Sequence, residues 1–183
     1  MERLSARLLC GASLSLAIAG STTGVVLAQT LSQADLRNAQ AVARTLKSGI
    51  DGGTKLSAEQ AFSLGEKYRN RATKDGNWGP AAKAFGDSAI LYPRARALKE
   101  YAESSLRAQS KAAAAKGREE QLALLKQTLD LYGSALAADE VLRELTREQH
   151  AELVRRRGCV ETFLQEGKSP SPCQPLQWAG LKN

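Results

Sequence analysis

From residue 32 onward, apolar side chains recur at intervals of three and four, and sustained alternation of apolar and polar positions is almost absent. A period near 3.6 places such residues on one side of a helix, so the chain reads as helix after helix. The first is predicted from Ser32, with Asp35 completing a Ser-x-x-Asp start, to Ser48 and Gly49. Asp51-Gly52-Gly53-Thr54 reads as a flexible break. The capping box Ser57-Ala58-Glu59-Gln60 opens a second helix to Ala72, with Ala58, Ala61, Phe62, Gly65, Tyr68 and Ala72 in one stripe.

A turn over residues 74–79 leads to Pro80, which suits the first turn of a helix because its missing amide hydrogen has no helical partner there. Ala81, Phe85, Ala89 and Tyr92 form that third helix's face, and Pro93 stops it. A fourth helix is predicted over 94–116, its last turn (KAAAAK) projecting into solvent, and a fifth over 118–137 with the seam Leu122, Leu125, Leu129, Tyr132 and Leu136. The sixth is predicted from Asp139 through Val141, Leu142, Leu145, Gln149 and Leu153. It ends at Arg155-Arg156-Arg157-Gly158, where cations oppose the helix dipole and glycine permits a left-handed cap. A helical turn over 159–165 and a loop over 167–183 holding three prolines and Trp178 complete the chain.

The first 28 residues read differently. Arg3 and Arg7 precede the apolar run of residues 8–20, and Val26 and Ala28 place small side chains ahead of Gln29, the layout of a cleaved secretory signal. The run is too short for a lasting membrane span of roughly 20 residues. Cleavage near Ala28 implies a periplasmic or secreted protein with no stable transmembrane segment. It divides the chain into a signal peptide (1–28), an N-terminal helix and linker (29–56), a helical domain (57–166) and a Pro-rich tail (167–183).

Composition then narrows the chemistry. Loss of Arg3, Arg7 and Glu2 leaves 24 basic and 18 acidic side chains, a charge of +6. In an exported protein this points away from nucleic acid and toward anionic lipid or polysaccharide, if toward any polyanion; the interleaving of signs suits ordinary solvated helix faces. Cys159 and Cys173 remain after cleavage, and an even cysteine count in an exported chain predicts a disulfide. No metal, cofactor or catalytic constellation emerges. His150 is the only histidine and has no nucleophile at a readable spacing. Glu119 with Glu120 and Glu148 with Glu152 read as surface pairs, and Asp75-Gly76-Asn77 lacks the ligand rhythm of a calcium loop. The reading is therefore of a non-enzymatic protein without cofactors.

At Leu64-Gly65, Tyr68, Ala81, Phe85 and Pro93 the chain resembles a tetratricopeptide repeat, whose first helix carries Leu-Gly and an aromatic and whose second carries a small residue, an aromatic and a closing proline. Gly65 would let the paired helices approach, with Tyr68 and Phe85 filling the space between them. The turn is about four residues longer than the family's. A second, degraded match lies at Leu129, Tyr132, Ala135 and Leu136, so the resemblance spans roughly residues 57–140. It implies stacked antiparallel helical hairpins with a concave peptide-gripping face; the bare periodicity is equally satisfied by a compact helical bundle. Either way the expected class is all-α. The function expected is that of an adaptor for another envelope or secreted protein, with Tyr68, Trp78 and Phe85 as contact residues and Arg155, Arg156 and Arg157 as a basic patch. A basic bundle binding anionic lipid or polysaccharide is the alternative.

Overall fold

The computed structural model describes residues 31–167 and Cys173, and among them all regular structure is helical. The expected signal sequence, and the segment holding Trp178, lie outside the described residues. A short 3₁₀ turn (Asp35–Arg37) precedes α1 (Ala39–Ser48), α2 (Gly52–Asp75), α3 (Gly79–Leu91), α4 (Ala95–Lys116), α5 (Arg118–Leu142) and α6 (Arg147–Glu166). From α2 to α6 each helix packs against the next, while α1 lies on α5. The protein is an all-α helical bundle.

The helix starts show which local signals prevail. Ser32 and Asp35 do exchange hydrogen bonds, amide to carboxylate at 2.9 Å and amide to hydroxyl at 3.2 Å, yet they open only the 3₁₀ turn. The α-helix is capped instead by Asn38, whose side-chain oxygen accepts from the amides of Gln40 and Ala41. Residues 51–54, expected as a break, are the first turn of α2. Asp51 accepts from the Thr54 amide at 2.9 Å, while the hydroxyl of Ser57 bonds back to the Gly53 carbonyl inside the helix rather than capping it. A carboxylate at the positive end of a helix outweighs the glycine penalty that follows it. The Thr54 hydroxyl and amide hold the exposed Asp51 carboxyl below its ordinary range.

The expected long turn shrinks in the same way. Lys74 and Asp75 belong to α2, and only Gly76, Asn77 and Trp78 separate it from α3, where Pro80 takes the anticipated place. Between α4 and α5 the connection is Gly117 alone, at φ 115°, a conformation that side chains with a Cβ rarely adopt. This reverses the chain within one residue.

The last two helices correct the sequence reading most. Asp139 does not start a helix: α5 runs on to Leu142 and is closed by Arg143 in the left-handed region (φ 51°). Asp139 turns its buried carboxylate forward to accept from the Leu145 amide at 2.9 Å. The true start of α6 is a capping box between Thr146 and Gln149. Nor does α6 end at Gly158. It continues to Glu166, and Gly167 (φ 70°) supplies the left-handed cap. Leu153, Val160 and Phe163 share a buried stripe through that region. Burial of about 1.5–3 kcal/mol per large apolar side chain outweighs about 1 kcal/mol for a glycine inside a helix.

The core is alanine-rich and closes on aromatic rings set against glycines. A Cβ built on Gly65 would lie 2.6 Å from two ring atoms of Phe85, so α2 and α3 meet as closely as the sequence pattern required. On the other side of α3, a Cβ on Gly86 would lie 3.0 Å from the ring of Tyr101 on α4. Phe62 and Phe85 pack with ring centroids 5.3 Å apart, tilted by 59°. The sulfurs of Cys159 and Cys173 are at bonding distance, 1.96 Å, and tie the chain beyond α6 back onto it across a separation of 14 residues. Cys173→Ser is expected to cost about 2–3 kcal/mol, because the unfolded chain loses a closed loop. A lower urea midpoint, with a slope equal to or steeper than that of the wild type because the opened unfolded chain exposes more surface, would register it.

Candidate functional site

α2, α4 and α6 together form the walls of a groove of about 400 Å³. From α2 come Phe62, Glu66 and Arg69; from α4, Arg96, Lys99 and Glu100; from α6 and the loop before it, Leu145, Glu148, Gln149 and Glu152. Helical spacing puts the α2 set on one flank of its helix, Phe62, Glu66 and Arg69 being four and three residues apart, and on α6 it sets Glu148 and Gln149 four and three residues before Glu152, while Leu145 comes from the loop. Phe62 and Leu145 supply the apolar surface, and charged side chains supply the walls.

Those charges are largely organised among themselves. Arg69 bridges to Glu100 at 2.8 Å and approaches Glu66 at 3.7 Å, linking α2 to α4. Lys99 lies 3.4 Å from both Glu100 and Glu103. The guanidinium of Arg96 sits 5.2 Å over the Phe62 ring, an attraction between cation and ring face. Arg94, nearly buried, pairs with Glu59 and lies over both Phe62 and Tyr92. The groove therefore has set walls and a mixed, slightly acidic lining, although the whole chain is basic.

A second cavity of about 310 Å³ continues from the first, sharing Arg69, Lys99 and Glu100 and reaching Trp78 and Arg107. Trp78 is half-buried, with the Arg107 guanidinium 4.3 Å over its ring, so it leans on α4 and still borders this cavity.

The expected contact residues separate into three kinds. Phe85 is fully buried against Phe62 and Gly65, so it is a packing residue and not the surface contact anticipated. Tyr68 is half-buried against the core. The three arginines do not mark a helix end, as the reading from the dipole required, because α6 runs through them. Arg155 donates from Nε and Nη2 to Glu152 at 2.8 Å. Arg156 reaches Glu152 at 2.5 Å and Glu103 of α4 at 2.7 Å, and also meets the hydroxyl of buried Tyr132. Arg157 is exposed.

Burial alone would raise the Glu152 carboxyl, but hydrogen bonds from Arg156 and Arg155 override it and hold the group below its ordinary value. Burial drives the Tyr132 hydroxyl strongly upward, reinforced by the nearby Glu103 charge, so it stays protonated.

His150 is not the isolated residue its sequence suggested. Its Nδ1 lies 2.8 Å from the second carboxylate oxygen of Asp139, which thus joins the end of α5, the intervening loop and α6. Asp139→Ala is expected to cost about 1–3 kcal/mol by orphaning the Leu145 amide, with Asp139→Asn retaining part of that loss. Urea unfolding of both variants would check it.

The sequence reading places Leu145 on the apolar stripe of the sixth helix, not in a groove, and does not name Glu100. The first falls in a loop whose position depended on misplaced helix ends, and the second is one acid among many until α2 and α6 are set beside α4. Among the described residues, no cluster of three or more His, Cys, Asp or Glu side chains is placed to hold a metal ion, and no helix is long and apolar enough to cross a membrane. No protein-family profile, curated protein or solved structure matches this sequence.

Proposed function

We propose that this protein is an exported helical adaptor that grips a peptide segment of another envelope or secreted protein in the groove between α2, α4 and α6. The observation that carries this reading is the groove itself: an apolar floor of Phe62 and Leu145 between charged walls of alternating sign, on three helices whose mutual placement is held by ion pairs. Apolar surface bordered by orienting polar groups is how clefts of this size bind ligands. The tetratricopeptide-like arrangement of Gly65, Tyr68 and Phe85 supports it, since stacked helical hairpins of that kind present one flank of alternate helices to a peptide. The amino-terminal signal pattern supports the compartment.

The alternative, binding of anionic lipid or polysaccharide through Arg155, Arg156 and Arg157, draws less support, because Arg155 and Arg156 are engaged with Glu152 and Glu103. The test compares capture from an envelope extract by the wild-type chain and by Leu145→Ser and Glu66→Lys variants of unchanged helicity. One stoichiometric protein retained by the wild type and lost by both variants is expected. Equal capture by all three, or salt-sensitive binding to anionic vesicles with no protein retained, would overturn the groove reading.

A further inference from the structure

We infer that a polar cavity between α4 and α5, bordered by residues 33–37, binds a neutral sugar unit. The site is separate from the groove and does not depend on it. At about 100° per residue, Tyr101, Ser105 and Gln109 lie about 180° around α4 from Arg96, Lys99 and Glu100, so the two sites occupy opposite flanks of one helix.

The cavity is built from regular pieces. Tyr101, Ser105 and Gln109 recur every four residues on α4. On α5, Leu124, Gln127 or Thr128, and Leu131 recur at three and four, so each helix turns one stripe toward the space. Gln33 and Arg37 come from the segment around the 3₁₀ turn, which is pinned by fully buried Leu36 and lies on α5. The volume is about 150 Å³, room for roughly five waters or one hexose ring.

The chemistry of this lining selects the ligand. Ser105 is only 8 % exposed. Among the described residues, neither its hydroxyl nor the side chains of Gln33, Arg37, Tyr101, Gln109 and Gln127 have a hydrogen-bond or ion-pair partner within the protein. Thr128 is committed, donating to the Leu124 carbonyl at 2.9 Å. A polar group left unmatched in a covered site is unfavourable, so a ligand that supplies partners gains by entering. Three amides and two hydroxyls here can each both donate and accept. An anion only accepts; it would leave the amide oxygens unmatched and meet a single cation. A cation would meet no carboxylate. Sugar hydroxyls donate and accept alike, and so answer every one of these groups. Leu124, Leu131 and the ring of Tyr101, backed by Gly86, offer apolar surface to the C–H face of such a ring.

The test titrates the isotope-labelled full-length chain with glucose, galactose, mannose and N-acetylglucosamine in turn, and with sodium phosphate and sodium acetate as anionic comparators. The side-chain amide resonances of Gln33, Gln109 and Gln127 are followed by NMR. Saturable shifts of these resonances in the millimolar range are expected with at least one sugar and with neither salt. Affinity should fall several-fold in Gln109→Ala and in Gln127→Ala, and should be unchanged in Leu145→Ser, which alters only the groove. No saturable shift with any of the sugars, shifts with phosphate or acetate, or sugar binding unchanged in either glutamine variant would overturn the inference. Sugar binding lost in Leu145→Ser would overturn it as well. The wild-type amide shifts decide the matter even if a variant fails to fold.

Discussion

Phe85→Ala is expected to destabilise the protein by about 3–5 kcal/mol, the range for emptying a fully buried aromatic site. The ring is inaccessible to solvent and lies between Phe62 and the backbone of α2 at Gly65. Little can collapse into the space, because α2 and α3 already meet at the limit set by Gly65. Gly65→Ala should cost about 1–3 kcal/mol by overpacking, since its new methyl would lie 2.6 Å from the ring. Combining the two is diagnostic. With the ring gone, the alanine at 65 meets no obstacle and gains about 1 kcal/mol of helix propensity over glycine. The double variant is thus expected to be more stable than Phe85→Ala alone, a sign reversal that a urea-unfolding cycle would read directly. Additive losses would mean that the glycine and the ring do not share one contact.

Arg156→Ala is expected to cost about 3–4 kcal/mol. The side chain is four-fifths buried, and its guanidinium joins Glu103 of α4, Glu152 of α6 and the Tyr132 hydroxyl of α5. Removal leaves Glu103, whose own side chain is only 13 % exposed, with the longer contact to Lys99 at 3.4 Å in place of a 2.7 Å bridge, and weakening the pairing of a buried charge is costly. The pH dependence separates this cause from lost packing. Glu152 titrates below its ordinary value of 4.5 in the folded protein, so it contributes stability above that pH, lost as pH falls through the depressed value. Without Arg156 the depression shrinks, and the acid limb of the stability curve should flatten. Arg156→Met, which keeps the stem but not the charge, should reproduce the flattening with a smaller packing loss.

The all-helical class and the close approach of α2 to α3 could be read from the chain because each rests on a local pattern. Apolar spacing needs only neighbours in sequence, and a glycine one turn from Phe62 and Tyr68 signals a close neighbour whatever that neighbour is. The matching contact of Gly86 with Tyr101 was missed, since nothing near Gly86 in sequence names α4 as the partner. Helix ends failed where a polar residue had two possible uses. Asp139 and Ser57 both resemble caps, yet Asp139 serves the loop after its helix and Ser57 sits inside one. Gly158 resembled a stop because Leu153 looked like the last apolar position, while Val160 and Phe163 carry the stripe onward. The groove could not be read at all. Its walls come from three stretches spread between Phe62 and Glu152, and the acids among them have no pattern until the helices are side by side.

α1 rests on α5 instead of on α2, its successor in the chain. The amino-terminal helix thus works as a clasp: Val42 and Leu46 fasten it to a helix more than seventy residues further on. Proton exchange should accordingly begin not at the front of the folded body but along α2, whose outer side bears Leu56 and Leu64 to water. Cutting away the clasp would strip cover from the middle of the bundle rather than trim its margin.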